Sequence, residues 1–211
     1  MSSNPYNTAV HEAGHALMAL MLGECVIEIV VNDLPDHDER LGYCRHTVPA
    51  NWRNGVWITL AGPIATAIHD GRSGVETFTF GDASDVADVW RQCLKLVCRP
   101  LPQEFHDVAG DDHQTFMELV CDGWRPPGIK GQAKRRLTLY AKDYALAEDF
   151  AHEMLHHEKD RVRAWIEERP WFMRLVRQMA DEAVSKRRMD AQDISAFIKR
   201  LAASDVHVAA E

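Results

Sequence analysis

Long apolar runs are missing from this sequence. No stretch approaches the roughly 18 residues that a membrane-spanning helix needs, so no membrane association is expected. Basic charge is scarce as well. Twenty-four Lys and Arg face 32 Asp and Glu, for a net charge of −8, and this excludes the clustered cationic surface of a nucleic-acid binder. The densest basic stretch, "KGQAKRR" (130–136), is short and reads as a solvated loop or helix start. No G-x-x-x-x-G-K-[ST] phosphate loop occurs, which argues against bound nucleotide. Cysteine is limited to five residues, an odd number, with no C-x-x-C pair. That pattern fits reduced structural thiols and a cytoplasmic protein. "MSSNPYNTAV" has no basic segment ahead of an apolar one and does not read as a signal peptide. Internal repeats and low-complexity tails are also lacking.

What remains is the patterning of a helical protein with enough length, 211 residues, for a sizeable core. Asn4-Pro5 reads as an N-cap followed by proline in the first turn, and the helix behind it should stop near Gly23. "CVIEIVV" (25–31) is rich in β-branched residues and reads as a buried strand. "YCRHTV" (43–48) alternates, stops at Pro49 and reads as an edge strand. Helices are expected at about 52–69 and over "ASDVADVWRQCLKLV". Residues 99–131 hold four of the nine prolines and several glycines, and no regular element is assigned there. Beyond about 134 the pattern is helical again, with 137–168 ending before Pro170, then 171–186 and 191–203. Asp190 and Asp193 look like the capping pair of the last helix.

Two stretches fit H-E-x-x-H: "HEAGH" at 11–15 and "HEMLH" at 152–156. On a helix, residues i and i+4 share a face, so both imidazoles can reach one ion while the Glu stands ready to take a proton from water. Their surroundings differ. His11 and His15 lie in "AVHEAGHALMALM", an apolar helix that must be buried, and buried histidines need a partner. His152 and His156 lie in "EDFAHEMLHHEKDRVR", charged on most faces, which reads as a solvated surface. The first motif is therefore the candidate metal site.

A catalytic zinc commonly takes three protein ligands, so HEAGH needs a third. The metzincin spacing would require Gly and His where Met18 and Met21 stand, and Glu39 falls in a turn-rich loop. "TFGDASDVADVW" offers Asp82, Asp85 and Asp88 at the start of a helix. Taken in order, these segments resemble the FtsH-type family of zinc metallopeptidases. "HEAGHALMALMLG" is similar to its zinc motif, "LAGPIATAI" to its A/G-G-R-x-A-E-x-x segment, and "GDASDVADV" to its G-A-x-x-D-L-x-x-A segment. The closing "RVRAWIEERPWFMRLVRQMADEAVSKRRMDAQDISAFI" is similar to its final helices. The resemblance covers most of the chain and is weakest at 99–145. It implies Zn2+ bound by His11, His15 and Asp85, with Glu12 as the catalytic base; Asp82 and Asp88 are then a helix-start charge and a surface residue.

The sequence departs from that family in two ways. The family's ATPase module precedes its peptidase domain, whereas HEAGH begins here at residue 11, so the resemblance is to the peptidase part alone. Where the family has an acidic pair after the A/G-G motif, this chain has Thr66-Ala67, with His69 and Asp70 as nearby substitutes.

The expected fold is mainly α with a small β element (α+β): a zincin-like peptidase domain built on the HExxH helix, followed by a C-terminal helical bundle. A single domain over 1–211 is expected, with a metal-binding half at 1–98, an irregular segment at 99–133 and a helical half at 134–205. The expected function is zinc-dependent endopeptidase activity on unfolded or flexible protein segments. Tyr43, Cys44, Arg45 and His46 would pair with the extended substrate. Two alternatives are a non-catalytic metal-binding interaction module and a regulatory peptidase with one specific partner. A separate ATPase partner and a homo-oligomer are left open.

Overall fold

The computed structural model describes residues 4–32, 41–72, 82–97 and 132–208. These form six helices and three strands: α1 (Pro5–Met21), β1 (Val26–Val31), β2 (Gly42–His46), α2 (Trp52–His69), α3 (Asp82–Val97), α4 (Gln132–Glu167), α5 (Pro170–Lys186), β3 (Arg188–Asp190) and α6 (Ala191–Val208). The protein is mainly helical with a small antiparallel sheet, as expected. Most of the 99–133 segment, together with Glu39, Cys98 and Cys121, lies outside the described residues. Contacts divide the chain into two compact units, one of residues 1–89 and 157–211 and the other of residues 90–156.

In the first unit, α1 is the central helix. Asn4 caps it by accepting a hydrogen bond from the Tyr6 amide at 3.0 Å, and Pro5 supplies the first turn. The helix is buried along Ala9, Val10, Ala13, Ala16, Leu17, Met18 and Ala19. It stops at Gly23, whose φ of +84° lies in the left-handed region that favours glycine. α2 crosses α1 almost backbone to backbone. A Cβ on Gly14 would lie 2.7 Å from the Ala61 carbonyl and 3.0 Å from the Gly62 Cα. α5 presents Phe172, Val176, Met179, Ala180 and Ala183, a helical period of buried residues. Buried Glu158 of α4 accepts from Trp57 Nε1 at 2.9 Å and from Arg161, which anchors the outer side of α2.

The sheet has the order β2-β1-β3, with both pairings antiparallel and a bulge between Val26 and Glu28. β2 is an edge strand, as its alternation and following Pro49 indicate. Strand β3 is not foreseen from sequence. Three residues are too few for a period of two, and the strand depends on the left-handed turn at Arg187 (φ 62°) that ends α5. Its last residue opens α6. The Asp190 Oδ1 accepts from the amides of Gln192 and Asp193, and Asp193 Oδ2 accepts from the Asp190 amide.

In the second unit, the HEMLH histidines His152 and His156 are solvent-exposed on α4. The His152 ring lies against Trp90, with centroids 5.7 Å apart. Among the described residues, no helix is long and apolar enough to cross a membrane, and no disulfide joins Cys25, Cys44 or Cys93.

Candidate metal centre

Helical spacing brings His11 and His15 one turn apart on the same face of α1, ring centroids 4.7 Å apart in an edge-to-face arrangement. α3 delivers Asp85 opposite them. Its Oδ2 lies 2.8 Å from His11 Nε2 and 3.3 Å from His15 Nε2. One ligand atom from each residue falls within 4.8 Å of the others, and this is the sole metal-capable cluster of three among the described residues. The side chains are largely buried, at 15%, 11% and 21% exposure for His11, His15 and Asp85. Burial works to raise the Asp85 carboxyl pKa, but its interactions with the His11 and His15 rings outweigh it and hold the acid well below the usual carboxylate range.

The His15 tautomer follows from its other nitrogen. Nδ1 lies 2.8 Å from the Ile58 carbonyl, which can only accept, so Nδ1 carries the proton. In the neutral ring Nε2 then offers a lone pair toward an Asp85 oxygen that is itself an acceptor. Two acceptors facing each other at 3.3 Å call for a positive charge between or upon them. Two imidazoles and one carboxylate are a donor set that suits zinc, and the carbonyl bond behind His15 is the support that metal-binding histidines generally have.

Gly62 makes this placement feasible. A Cβ there would lie 2.3 Å from His15 Nε2 and 2.5 Å from its Cε1. Gly62→Ala should therefore displace the ring and lower zinc affinity at least tenfold, with a stability loss of about 1–3 kcal/mol from overpacking. Competition against a chromophoric chelator, with circular dichroism to confirm folding, measures both. Unchanged zinc affinity would mean that the ring position does not matter to binding.

Glu12, only 7% exposed, sits on α1 beside His11 and one turn from His15. Burial raises its pKa above the ordinary carboxylate value. The His11 and His15 rings pull it down, the charge of Asp85 pushes it up, and the Cys44 amide, which donates to the carboxylate, lowers it again. β2 comes this close because of Gly42, where a Cβ would lie 2.6 Å from Thr8 Cγ2 and 3.3 Å from Glu12 Cγ. Burial, then the Glu12 charge, pushes the Cys44 thiol well up, so it stays protonated.

Of the four β2 residues proposed to contact substrate, only Cys44 meets this cluster. Tyr43 and Arg45 lie on the other face of the sheet, where both reach Glu28, and the His46 ring bonds the neighbouring Thr47 carbonyl at 2.7 Å. Neither proposed substitute for the missing acidic pair reaches the cluster. The His69 ring rests on Tyr6, and Asp70 binds Asn7 and Arg72. Buried Thr66 donates to the Gly62 carbonyl of its own helix. Asp82 is the first residue of α3, and Asp88 is exposed on that helix. Ile58, Gly62 and Gly42 are the contributors that sequence reasoning missed. Glycine spacing relative to HEAGH, in "LAGP" and "LGYC", is the available signal.

Compared with known proteins, the chain matches no protein-family model and no curated sequence. The functional reading therefore rests on the residues themselves.

Proposed function

We propose that this chain is a zinc-dependent endopeptidase with a zincin-like centre of the FtsH type, acting on unfolded or flexible protein segments. The observation that carries the reading is the convergence of His11, His15 and Asp85 beside a buried Glu12. His11 and His15 through Nε2 and Asp85 through Oδ2 would hold the ion. A zinc bound there supplies Lewis acidity to the scissile carbonyl and makes water more acidic.

The remaining chemistry belongs to the chain. Glu12 accepts a proton from the attacking water, for which its raised pKa makes it a stronger base than an exposed carboxylate, and returns it to the leaving nitrogen. The Cys44 amide fixes the carboxylate so that it does not swing away as it changes charge. β2 orients the substrate. Leu41 accepts from the Asn32 amide, so alternation turns the backbone of 43 and 45 toward β1 and that of 42, 44 and 46 outward. A peptide paired with this outer edge through the backbones of Gly42 and His46 runs past Glu12, which takes the Cys44 amide between them. A purely structural metal site has no use for a buried base in this position.

The test is metal content followed by activity. Purified protein should carry about one zinc per chain by elemental analysis, and it should cleave an unfolded casein in a chelator-sensitive way. His11→Ala and Asp85→Ala should each lose the metal, whereas His152→Ala should retain it. Zinc lost from the His152 variant, or an absence of zinc from the unmodified protein, would sink the proposal.

A further inference from the structure

The outer face of the sheet, opposite the candidate metal centre, carries a charge arrangement that hydrolysis does not need. Glu28, at the middle of β1, is only 5% exposed. Its Oε1 lies 3.0 Å from Arg45 of β2, directly across the ladder, and its Oε2 lies 2.6 Å from Arg188 of β3. The Tyr43 hydroxyl also points to Oε1, at 3.4 Å. One buried carboxylate is thus shared by two guanidinium groups that are 59% and 67% exposed. Asp190, across the ladder from Glu28, stands on the far strand and engages the amides of Gln192 and Asp193. A ligand approaching the β2 edge meets guanidinium, with the neutralising carboxylate beneath it.

We propose that this face makes the β2 edge selective for acidic side chains in the extended segment bound there. The identity of that segment as substrate rests on the peptidase reading; the charge argument does not. Among the described residues no strand pairs with the outer edge of β2. An added strand alternates its side chains between the two faces, in step with β2. Residues opposite Gly42 and Cys44 turn toward Glu12. Residues opposite Tyr43 and Arg45 stand beside the Arg45 guanidinium, whose remaining donors suit a carboxylate in two-point contact. Opposite charges directly across a ladder attract, and like charges repel by a similar amount. Glu28 also holds Arg45 in place before the peptide arrives, which reduces the ordering cost of pairing.

The test uses binding, so it does not depend on turnover. Two ten-residue peptides of Thr, Val and Ser that differ only in Glu or Lys at alternate positions are titrated by fluorescence anisotropy into zinc-loaded Glu12→Gln protein. The Glu peptide should bind about fivefold more tightly at low salt, the ratio should fall toward one in high salt, and Arg45→Gln should abolish it. Equal binding of the two peptides, binding of neither, or a preference that survives Arg45→Gln overturns the proposal. The salt titration on protein with Arg45 intact keeps the test valid if Arg45→Gln folds poorly. Cleavage without an acidic preference defeats this proposal alone. Acid-selective binding by a protein that never cleaves defeats the peptidase reading alone.

Discussion

Glu12→Gln is expected to reduce cleavage of an unfolded protein by a factor of about 10²–10⁴ while leaving zinc at one per chain. Glutamine keeps the length and shape of the side chain, and its carbonyl can still accept from the Cys44 amide that holds Glu12. What it cannot do is take a proton from water. His11, His15 and Asp85 are untouched, so the metal should stay. The two readouts separate the roles: His11→Ala should lose metal and activity together, whereas Glu12→Gln should lose activity alone. Glu12→Asp should fall between the unmodified protein and Glu12→Gln in activity, because the carboxylate survives but is withdrawn by one methylene from a site that needs contact within about 3 Å. A Glu12→Gln protein that cleaves within tenfold of the unmodified rate would remove Glu12 from the mechanism. The activity would then come from another group or from a contaminating peptidase, which chelator sensitivity and co-purification would distinguish.

The parts of this design legible in the sequence are those encoded locally. Asn4-Pro5 announces α1, the apolar run around HEAGH announces its burial, and Asp190 with Asp193 announces α6. The contrast between HEAGH and HEMLH is legible too, because neighbours along a helix decide its exposure. His152 and His156 are exposed, while His11 and His15 lie in a buried helix. Asp85 is different. Three aspartates at the start of one helix offer equal chemistry, and only the resemblance favours the middle one, since the distance from HEAGH along the chain has no fixed relation to distance in space. Ile58 escapes notice for a related reason: its functional atom is a backbone carbonyl, which every residue has. Gly62 and Gly42 matter through what they leave empty, and an empty volume is visible only once the facing helix or strand is in place. Glu28 reads as a mere interruption in a β-branched run until β2 and β3 bring two arginines to it.

Folded substrates should resist this chain in proportion to their stability. The outer edge of β2 can pair only with a segment whose backbone donors and acceptors are unsatisfied, and a folded domain uses most of its own internally. Releasing them costs the free energy of unfolding, about 5–15 kcal/mol for an ordinary domain. At 5 kcal/mol the open form is about one molecule in several thousand, so cleavage should be three to four orders of magnitude slower than for the same sequence permanently unfolded. The 211 residues carry no G-x-x-x-x-G-K-[ST] loop, so ATP added to this chain alone should change neither rate nor bind detectably in calorimetry. A graded series of destabilised variants of one substrate domain provides the measurement. When opening and reclosing are fast, the logarithm of the cleavage rate should rise by one decade for each 1.4 kcal/mol of lost stability, a slope that follows the open population. A slope near zero, with the stable parent cut as fast as its unfolded variant, would mean that the protein engages native surfaces or exposed loops directly. A slope that flattens only when ATP is supplied would mean that energy-driven unfolding resides in this chain after all.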